Sequence, residues 1–256
     1  SLTEAGSALA PGARDGFEAL ASAWRAARRV NDHASLTVTA GPAFTAIWLA
    51  PRLYSFAQAH PEIELRLSAG LGLVDLTRTE VDVAIRFGYG PDPNTLFAET
   101  FLRDWVVPMM TPEVAAQIPD LVSMAQANLI HQDDLRFLDP PTDWPAWFRA
   151  MGLPPRDWSG QRFSQADHAM DAALSGAGVV LGRVSLGAPL LDAGRLVAPF
   201  KTGLKTIAHY RILCVAGTEE RPQIKAFREW LKNLTSAIPE QAEGFTLIDP
   251  GDVPGA

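Results

Sequence analysis

Histidine and cysteine side chains, the usual metal ligands and nucleophiles, are few and scattered in this sequence. The five histidines stand at positions 33, 60, 131, 168 and 209, without the spacing of metal ligands. Cys214, the single cysteine, lies in the strand-like apolar run 211–215, where a free thiol behaves as a small buried hydrophobe rather than as a reactive thiolate. We therefore expect no metal site, no cofactor and no thiol catalysis.

The motifs that mark common enzyme classes are missing from the sequence. It contains no Gly-x-Ser-x-Gly elbow, no His-Glu-x-x-His zinc pair and no Walker phosphate loop. The run 176–178, Gly-Ala-Gly, is similar to a dinucleotide loop, but it follows a predicted helix and precedes a predicted strand, the reverse of the phosphate-binding order. The sequence thus predicts a protein that is not an enzyme. A cleft enzyme that uses His131 or Asp167 stays an alternative.

Ligands of open α/β sheets bind beyond the carboxyl ends of the strands, and this rule selects five short loops. The loops span residues 42–45, 70–73, 86–88, 131–133 and 165–168. Arg86 could bind a ligand carboxylate through two hydrogen bonds, or it could form a structural salt bridge with Asp75 or Asp82. Because either role satisfies the guanidinium group, the sequence leaves both open.

The elements that carry these loops begin with a βαβαβ unit. Strands are predicted over 36–40, 62–68 and 81–87, with a helix over 44–59 and a short helix over 73–79. Pro51 must kink or restart the longer helix, because proline lacks the backbone N–H group. Alternation of strands and helices implies a parallel sheet with right-handed crossovers.

A second alternating block follows two extended stretches over 96–102 and 105–110. Its strands are predicted over 129–132, 161–164 and 179–182, and its helices over 144–151, 166–174 and 185–191. Gly176 and Gly178 suit the left-handed turn between the second helix and the last strand. Trp144 and Trp147 lie three residues apart on one helix, which favours a place in the core or the cleft wall.

The last elements are a β-rich segment over 207–216 and an amphipathic helix over 221–237. A tail that contains Gly and Pro follows them, and we expect it to be mobile. The chain is therefore expected to form two similar α/β halves, with the late elements available to return to the first half.

The N-terminal segment 2–30 has the pattern of one long amphipathic helix. Thr3 can cap its start, and Glu4 favours the helix N-terminus. Its apolar residues recur at spacings of three or four, at positions 9, 13, 17, 20, 24 and 27. This narrow stripe is typical of a coiled coil, and it fits equally well a helix that packs on its own domain.

The composition excludes several classes of protein. With 256 residues, 47% of them hydrophobic and 20% charged, the chain is expected to form one large domain or two packed halves. A net charge of −7 and a pI near 5.2 argue against a nucleic-acid surface, which needs dense Lys and Arg. The sequence shows no secretory signal and no apolar run of the roughly 20 residues that cross a membrane. The expected compartment is the cytoplasm.

Short segments along almost the whole chain resemble one family. Residues 49–53, Leu-Ala-Pro-Arg-Leu, and 60–65, His-Pro-Glu-Ile-Glu-Leu, resemble its first βα crossover, and 81–88, Val-Asp-Val-Ala-Ile-Arg-Phe-Gly, resembles its third strand. Further similar segments are 2–6, 174–182, 194–197 and 221–231. The family is that of the LysR-type transcriptional regulators. The Arg-Phe-Gly strand end and the pair Trp144-x-x-Trp147 resemble its subgroup of glycine-cleavage and β-lactamase activators.

The resemblance implies an α/β fold of two Rossmann-like subdomains of the periplasmic-binding-protein type, preceded by a long linker helix. Residues 1–34 would be the dimerisation helix, 35–105 with 206–238 subdomain I, 106–205 subdomain II, and 239–256 a flexible tail. A small-molecule effector would bind between the subdomains, and the chain would form a homodimer or homotetramer. The winged helix-turn-helix domain of the family is expected to be absent here, so promoter DNA and RNA polymerase would be reached only through the full-length regulator.

The residues expected to contact the effector come from the resemblance and from the strand-end rule together. They are Ala43, Phe44, Gly70, Leu71, Asp75, Arg86, Phe87, His131, Gln165, Ala166, Asp167, His209 and Tyr210. Many family members have Ser or Thr where this chain has Ala43, which offers no hydroxyl group to a ligand carboxylate at that position. Dimerisation is expected through Leu9, Phe17, Leu20 and Trp24. The alternative function is a solute-binding protein of a transport system, which would share the cleft but would have no use for the apolar stripe.

Overall fold

The chain folds into a nine-stranded mixed sheet with a long helix at its N-terminus. A computed structural model describes residues 2–31, 35–72, 74–154, 158–236 and 242–253. The strands are β1 (Ser35–Ala40), β2 (Glu64–Ala69), β3 (Val83–Gly88), β4 (Leu96–Met109), β5 (Leu129–Gln132), β6 (Gly160–Phe163), β7 (Val179–Arg183), β8 (Thr202–Val215) and β9 (Thr246–Ile248).

Helices alternate with the strands along most of the chain. The α-helices are α1 (Glu4–Asn31), α2 (Leu53–Ala59), α3 (Pro112–Ala115), α4 (Leu121–Met124), α5 (Trp144–Ala150), α6 (Ala166–Leu174), α7 (Val184–Asp192) and α8 (Pro222–Thr235). The helix predicted over 44–59 is divided into a π-helical turn (Phe44–Leu49), a 3-10 turn (Ala50–Arg52) and α2. The break at Pro51 is thereby confirmed.

The order of the strands is β2-β1-β3-β8-β4-β7-β5-β6, and β9 pairs with β8. β1 lies parallel to β2 and β3 in the first half, as β5 lies parallel to β6 and β7 in the second. Between these two groups, β8 runs antiparallel to β3 and β4, and β4 runs antiparallel to β7. This arrangement confirms the expected α/β fold of two halves, joined by the long strands β4 and β8.

The pairing of β4 with β8 is interrupted by a bulge at Asp104. Arg103 lies opposite His209, but Trp105 lies opposite Lys205, so three residues of β8 face Asp104 alone. The hydroxyl of Thr206, one of these three, donates hydrogen bonds to the carbonyls of Asp104 and Ala208 at 2.9 and 2.8 Å. Because a bulge redirects the side chains around it, it allows Asp104 to point into the protein interior.

Aromatic side chains fill the core of the second half. Trp144 and Trp147 are buried, as predicted, with Phe148 and Trp158 packed beside them. The indole of Trp144 donates to the carbonyl of Ile130 at 3.0 Å, and that of Trp147 donates to the carbonyl of Thr202 at 2.8 Å. These bonds satisfy the polar ends of both rings, as burial requires.

The prediction of a short helix over 73–79 is wrong for the residues that the structure describes, because residues 76–78 form a turn. Leu73 lies outside the described residues. The carboxylate of Asp75 accepts hydrogen bonds from the backbone N–H and the hydroxyl of Thr77, at 2.9 and 2.6 Å. An aspartate that binds the backbone in this way competes with helix formation.

The tail that is expected to be mobile contains one strand among its described residues, β9 (Thr246–Ile248). β9 runs parallel to β8, with Thr246 opposite Thr202 and Ile248 opposite Leu204. Val253 is buried at the end of this segment. The polar composition of the tail conceals this three-residue strand, whose backbone bonds and two apolar side chains hold it on the sheet. Residues 239–241 and 254–256 lie outside the described residues.

The helix α1 exposes the predicted apolar stripe. Its start is capped as expected, because the backbone N–H of Gly6 donates to the hydroxyl of Thr3 at 3.1 Å. Leu9, Phe17, Leu20 and Trp24 are each between 69% and 74% exposed in the single chain. Among the described residues, no helix is both long and apolar enough to span a bilayer.

Candidate functional site

Tyr210 lies at the centre of an aromatic cluster at the junction of the two halves. Its ring centroid is 4.4 Å from that of Phe44, 4.9 Å from Phe87 and 6.4 Å from Phe101. Phe44 begins the π-helical turn after β1, Phe87 is the penultimate residue of β3, and Phe101 lies on β4. Loops and strand ends of the first half therefore meet on the long strand β8.

The second half reaches the same cluster through Arg183, the last residue of β7. Its guanidinium group lies 4.8 Å from the centre of the Phe87 ring and donates a 2.6 Å hydrogen bond to the carboxylate of Asp134. Asp134 lies in the 3-10 turn that follows β5. One buried cation thus contacts an aromatic ring of the first half and a carboxylate of the second, and the loss of either charge would leave the other buried without compensation.

A second buried carboxylate, that of Asp104, lies beside this ion pair. It accepts hydrogen bonds from the backbone N–H and the hydroxyl of Ser185, at 3.1 and 2.5 Å. Burial raises the pKa of Asp104, and the Ser185 bonds and the charge of Arg183 oppose that rise. Burial also raises the pKa of Tyr210, so that its hydroxyl stays neutral.

Several buried polar atoms around the cluster have no hydrogen-bond partner within the described ranges. They are the hydroxyl of Thr45, Oδ1 of Asp134, Nε of Arg183 and Nδ1 of His209. Buried polar groups are almost always paired, so such atoms indicate water or a ligand. The site therefore offers both an N–H donor and a carboxylate acceptor to a bound molecule.

Phe44, Phe87 and Tyr210 are the candidate residues that the structure brings together in the cluster. Ala43 is buried next to Phe44 in sequence. Arg86 donates instead to the carbonyls of Ile85 and Gly72, at 2.9 and 3.2 Å.

Neither carboxylate considered as a salt-bridge partner for Arg86 takes that role. Asp75 lies beside Arg78 at 3.5 Å, and Asp82 beside Arg221 at 3.2 Å. The structural salt bridge is therefore not formed, and backbone carbonyls hold the guanidinium group at the end of β3.

The remaining candidates lie around the cluster or away from it. Gly70, Leu71 and Asp75 follow β2, with Leu71 and Asp75 exposed. Gln165, Ala166 and Asp167 form the start of α6, a helix that contacts the π-helical turn carrying Phe44.

His209 lies next to Tyr210 and accepts a hydrogen bond from the Arg103 guanidinium at 3.1 Å. Burial and the Arg103 charge lower the pKa of His209. His131 does not join the cluster: it lines a separate cavity between β5, β6 and α5. His33 lies outside the described residues.

The charged residues of the cluster escaped the sequence reasoning. Arg183 directly follows the strand predicted over 179–182, so the strand-end rule, applied to that strand as well, would have selected it together with Ser185. Arg103 and Asp104 separate two predicted stretches that are one continuous strand, and an acid placed directly before the apolar run 105–110 is a signal of a buried, paired charge. Asp134 is one residue beyond the loop chosen after β5.

Metal and thiol chemistry find no support in the described part of the chain. No group of three or more His, Cys, Asp or Glu side chains could hold a metal ion among the residues that the structure covers. Cys214 is buried, as predicted, and burial raises the pKa of its thiol. A thiol in this environment is unreactive.

Comparison with known proteins gives consistent matches. The family model described as the LysR substrate binding domain matches residues 31–236. The glycine cleavage system transcriptional activator of Escherichia coli is 31% identical over 246 residues, which cover 94% of this chain and 77% of that protein. The HTH-type transcriptional activator AmpR of Rhodobacter capsulatus is 30% identical over 232 residues, covering 90% and 76%.

A solved structure agrees with these sequence matches. The effector domain of the transcriptional regulator AmpR of Pseudomonas aeruginosa superposes with a TM-score of 0.65 at 32% identity. The match covers 81% of this chain and 97% of that one. The sheet described above is therefore the fold of that effector domain.

Proposed function

The chain belongs to the LysR family of transcriptional regulators, and from this premise we propose that a small-molecule effector acts at the cluster around Tyr210. The chain carries the effector-binding domain of such a regulator and functions in transcription regulation. Its relatives are transcriptional regulators and not enzymes, so a catalytic role is not supported, and the solute-binding protein of a transporter is not favoured.

One observation carries the proposal: two oppositely charged side chains at the junction each keep one buried atom that has no hydrogen-bond partner among the described residues. Nε of Arg183 can donate to an acidic group, and Oδ1 of Asp134 can accept from an N–H or O–H group. The ring of Phe87, 4.8 Å from the Arg183 guanidinium, supplies apolar surface beside them. These features suit a small polar molecule with an acidic group and a hydrogen-bond donor.

The same residues give the effector a means of changing the relation between the two halves. We assign residues 35–105 and 206–238 to subdomain I and residues 106–205 to subdomain II. The hydroxyl of Tyr89 in subdomain I donates to the carbonyl of Phe137 in subdomain II at 3.0 Å, and their rings stack with centroids 6.0 Å apart. An effector that binds Arg183 or Asp134 differently in open and closed arrangements shifts the population between them.

The exposed stripe of α1 supports dimerisation as the second part of this function. Phe17, Leu20 and Trp24 leave a continuous apolar strip open to solvent, and a second copy of the helix would bury it. We propose a homodimer, which can assemble further into a homotetramer. Closure of the subdomains would then alter the arrangement of the paired helices.

Promoter DNA and RNA polymerase are proposed partners of the full-length regulator in the cytoplasm. With a net charge of −7, residues 1–256 are unsuited to neutralising phosphates. DNA contact is therefore assigned to a separate basic domain of the regulator, and the region described above would transmit the effector signal to it.

Calorimetry with a panel of amino acids, aromatic acids and short peptides tests the effector site. We expect at least one compound to bind, and we expect Asp134→Asn and Tyr210→Phe to weaken it about tenfold, the effect of losing one charge-assisted hydrogen bond or its support. Lys225→Gln, at an exposed position of α8, is the matched control. If no compound binds, and if Arg86→Gln and Tyr210→Phe leave the transcriptional response unchanged, the proposed site is wrong.

A further inference from the structure

A second cavity lies within the second half of the chain, apart from the cluster around Tyr210. It has a volume of about 340 Å³ and opens between the ends of β5 and β6 and the start of α5. His131 and Thr142 line it, Trp144 and Trp158 wall it, and Arg136 and Arg162 also contribute to its lining. None of these six residues belongs to the aromatic cluster or to its ion pair.

His131 presents an unpaired nitrogen in this cavity. Its side chain is only 7% exposed, and Nε2 has no hydrogen-bond partner in the residues that the structure describes. The ring also hydrogen-bonds to the backbone of Ser159, a bond that leaves Nε2 free. Burial and the Arg162 charge lower the pKa of His131, so the neutral ring offers Nε2 as an acceptor.

Thr142 adds a second unsatisfied group to the same lining. It is 2% exposed, and its hydroxyl lacks a partner within the described ranges of the chain. A buried acceptor and a buried hydroxyl in one cavity lack the pairing that such atoms almost always have. A ligand hydroxyl could donate to His131 and accept from Thr142 at the same time.

The other lining residues determine the rest of the ligand. Arg136 is exposed, while Arg162 is half exposed and its guanidinium group forms an ion pair with the Asp133 carboxylate at 2.7 Å. Asp143 also lines the cavity, but its carboxylate accepts a bond from the backbone of Ala146 at 2.9 Å, which caps α5. Among the described residues Arg136 forms no ion pair, so its guanidinium group is the cation left to bind an anion, with the negative charge of Asp143 close by.

The two indole rings make the cavity suitable for a flat apolar body. Trp158 is stacked on Phe148 with ring centroids 3.6 Å apart, and Trp144 is fixed by its bond to Ile130. Rigid aromatic walls of this kind lose little conformational entropy when they bind a ring. The cavity volume falls within the range of small-molecule sites.

We propose that this cavity is a second ligand site, which binds a small aromatic hydroxy acid. Its ring would lie against the sides of Trp144 and Trp158 that line the cavity, since both indoles also stack on Phe148. Its carboxylate would lie at Arg136 and Arg162, and its hydroxyl at His131 and Thr142. The site is additional to the effector site at Tyr210 and does not depend on it. Two ligands could therefore bind the same chain.

The test follows the indole N–H signals of the chain by nuclear magnetic resonance during titration with 4-hydroxybenzoate. Trp144 and Trp158 report on the cavity. Trp147, bonded to Thr202, and Trp230, bonded to Ser55, are controls within the same molecule. Benzoate, which lacks the hydroxyl, and 4-hydroxybenzyl alcohol, which lacks the carboxylate, are the matched compounds. The protein variants are Thr142→Val and, in the effector site, Tyr210→Phe.

We expect saturable shifts at Trp144 and Trp158, with 4-hydroxybenzoate binding about fivefold to tenfold more tightly than either matched compound, as one lost hydrogen bond implies. Thr142→Val should remove the advantage over benzoate, while Tyr210→Phe should leave binding unchanged. No saturable shift up to millimolar concentration, equal binding of benzoate, or loss of the shifts in Tyr210→Phe would each overturn the second site. A failed effector site alone would leave these results intact.

Discussion

The helix α1 and the junction of the two halves both depart from the rule that apolar side chains are buried and polar ones exposed, but in opposite directions. α1 exposes Phe17 and Trp24 to solvent, whereas the junction buries Asp104 of β4 and Arg183 of β7. The buried charges find most of their partners within the chain, whereas nothing in the described part of a single copy covers the exposed apolar stripe. The difference supports the two proposals made above, an effector site at the junction of the two halves and a dimer interface on α1.

The largest effect on stability is expected at the junction of the two halves. Arg183→Met would leave the carboxylates of Asp134 and Asp104 buried without their cation, and we expect a loss of about 3 to 5 kcal/mol in the free energy of unfolding. Urea titration measures it. The control is Arg162→Met, because the side chains of its 2.7 Å pair with Asp133 are 50% and 32% exposed to solvent, and its loss should cost about 0 to 1 kcal/mol. Equal losses in the two variants would refute the contrast between buried and exposed pairs.

The next effect concerns α1 and leaves the sheet untouched. Phe17→Ser removes one apolar side chain from each helix of the proposed dimer, which should weaken association by about 3 kcal/mol, or more than a hundredfold in Kd. Sedimentation equilibrium measures the Kd, and Asp15→Ser on the same helix is the control. An unchanged Kd in Phe17→Ser would show that the stripe packs on its own chain instead.

The smallest effect comes from His131, which is buried, and His209, which is partly buried. Burial favours the neutral form of both rings, whereas the partners of Arg183 favour its charged form. Burial lowers the pKa values of His131 and His209 below the ordinary 6.5, so both bind protons more readily in the unfolded chain. Their contribution to stability is present above pH 6.5 and is lost as the pH falls through the lowered folded values. The slope should reach at most about 1.4 kcal/mol per pH unit for each histidine.

Unfolding titrations between pH 7.5 and 5 test this dependence. His131→Gln should flatten the dependence on the acid side, and His168→Gln, at an exposed position, should leave it unchanged. Identical pH profiles for the two variants would show that burial of His131 has no energetic consequence.

The sequence predicted the elements well where one physical rule acts locally. Hydrophobic periodicity located α1 and α8, proline divided the helix at Pro51, and the positive φ of +78° at Gly176 follows from the need to leave α6. These features depend on a few neighbouring residues. The α/β alternation then implied the parallel strand groups of each half.

The site was harder to predict because its parts come from distant segments. Asp104 and Ser185 are 81 positions apart, and their contact depends on the bulge that gives β8 three residues opposite Asp104. Pairing register is set by the whole sheet, so local propensity cannot reveal it. For the same reason the sequence predicts His131 among the effector contacts, whereas in the structure it lines a separate cavity.

The continuity of β4 and β8 determines how the two halves can move. Each strand has 14 residues and continues through both halves. At the usual rise per residue, the pair forms a two-stranded ribbon of roughly 45 Å. Such a connection can twist, but it does not let the two halves swing freely. Its compliant points are the two register shifts beside Leu102 and Asp104. The stiffness of the ribbon would then set how much twist an effector can impose.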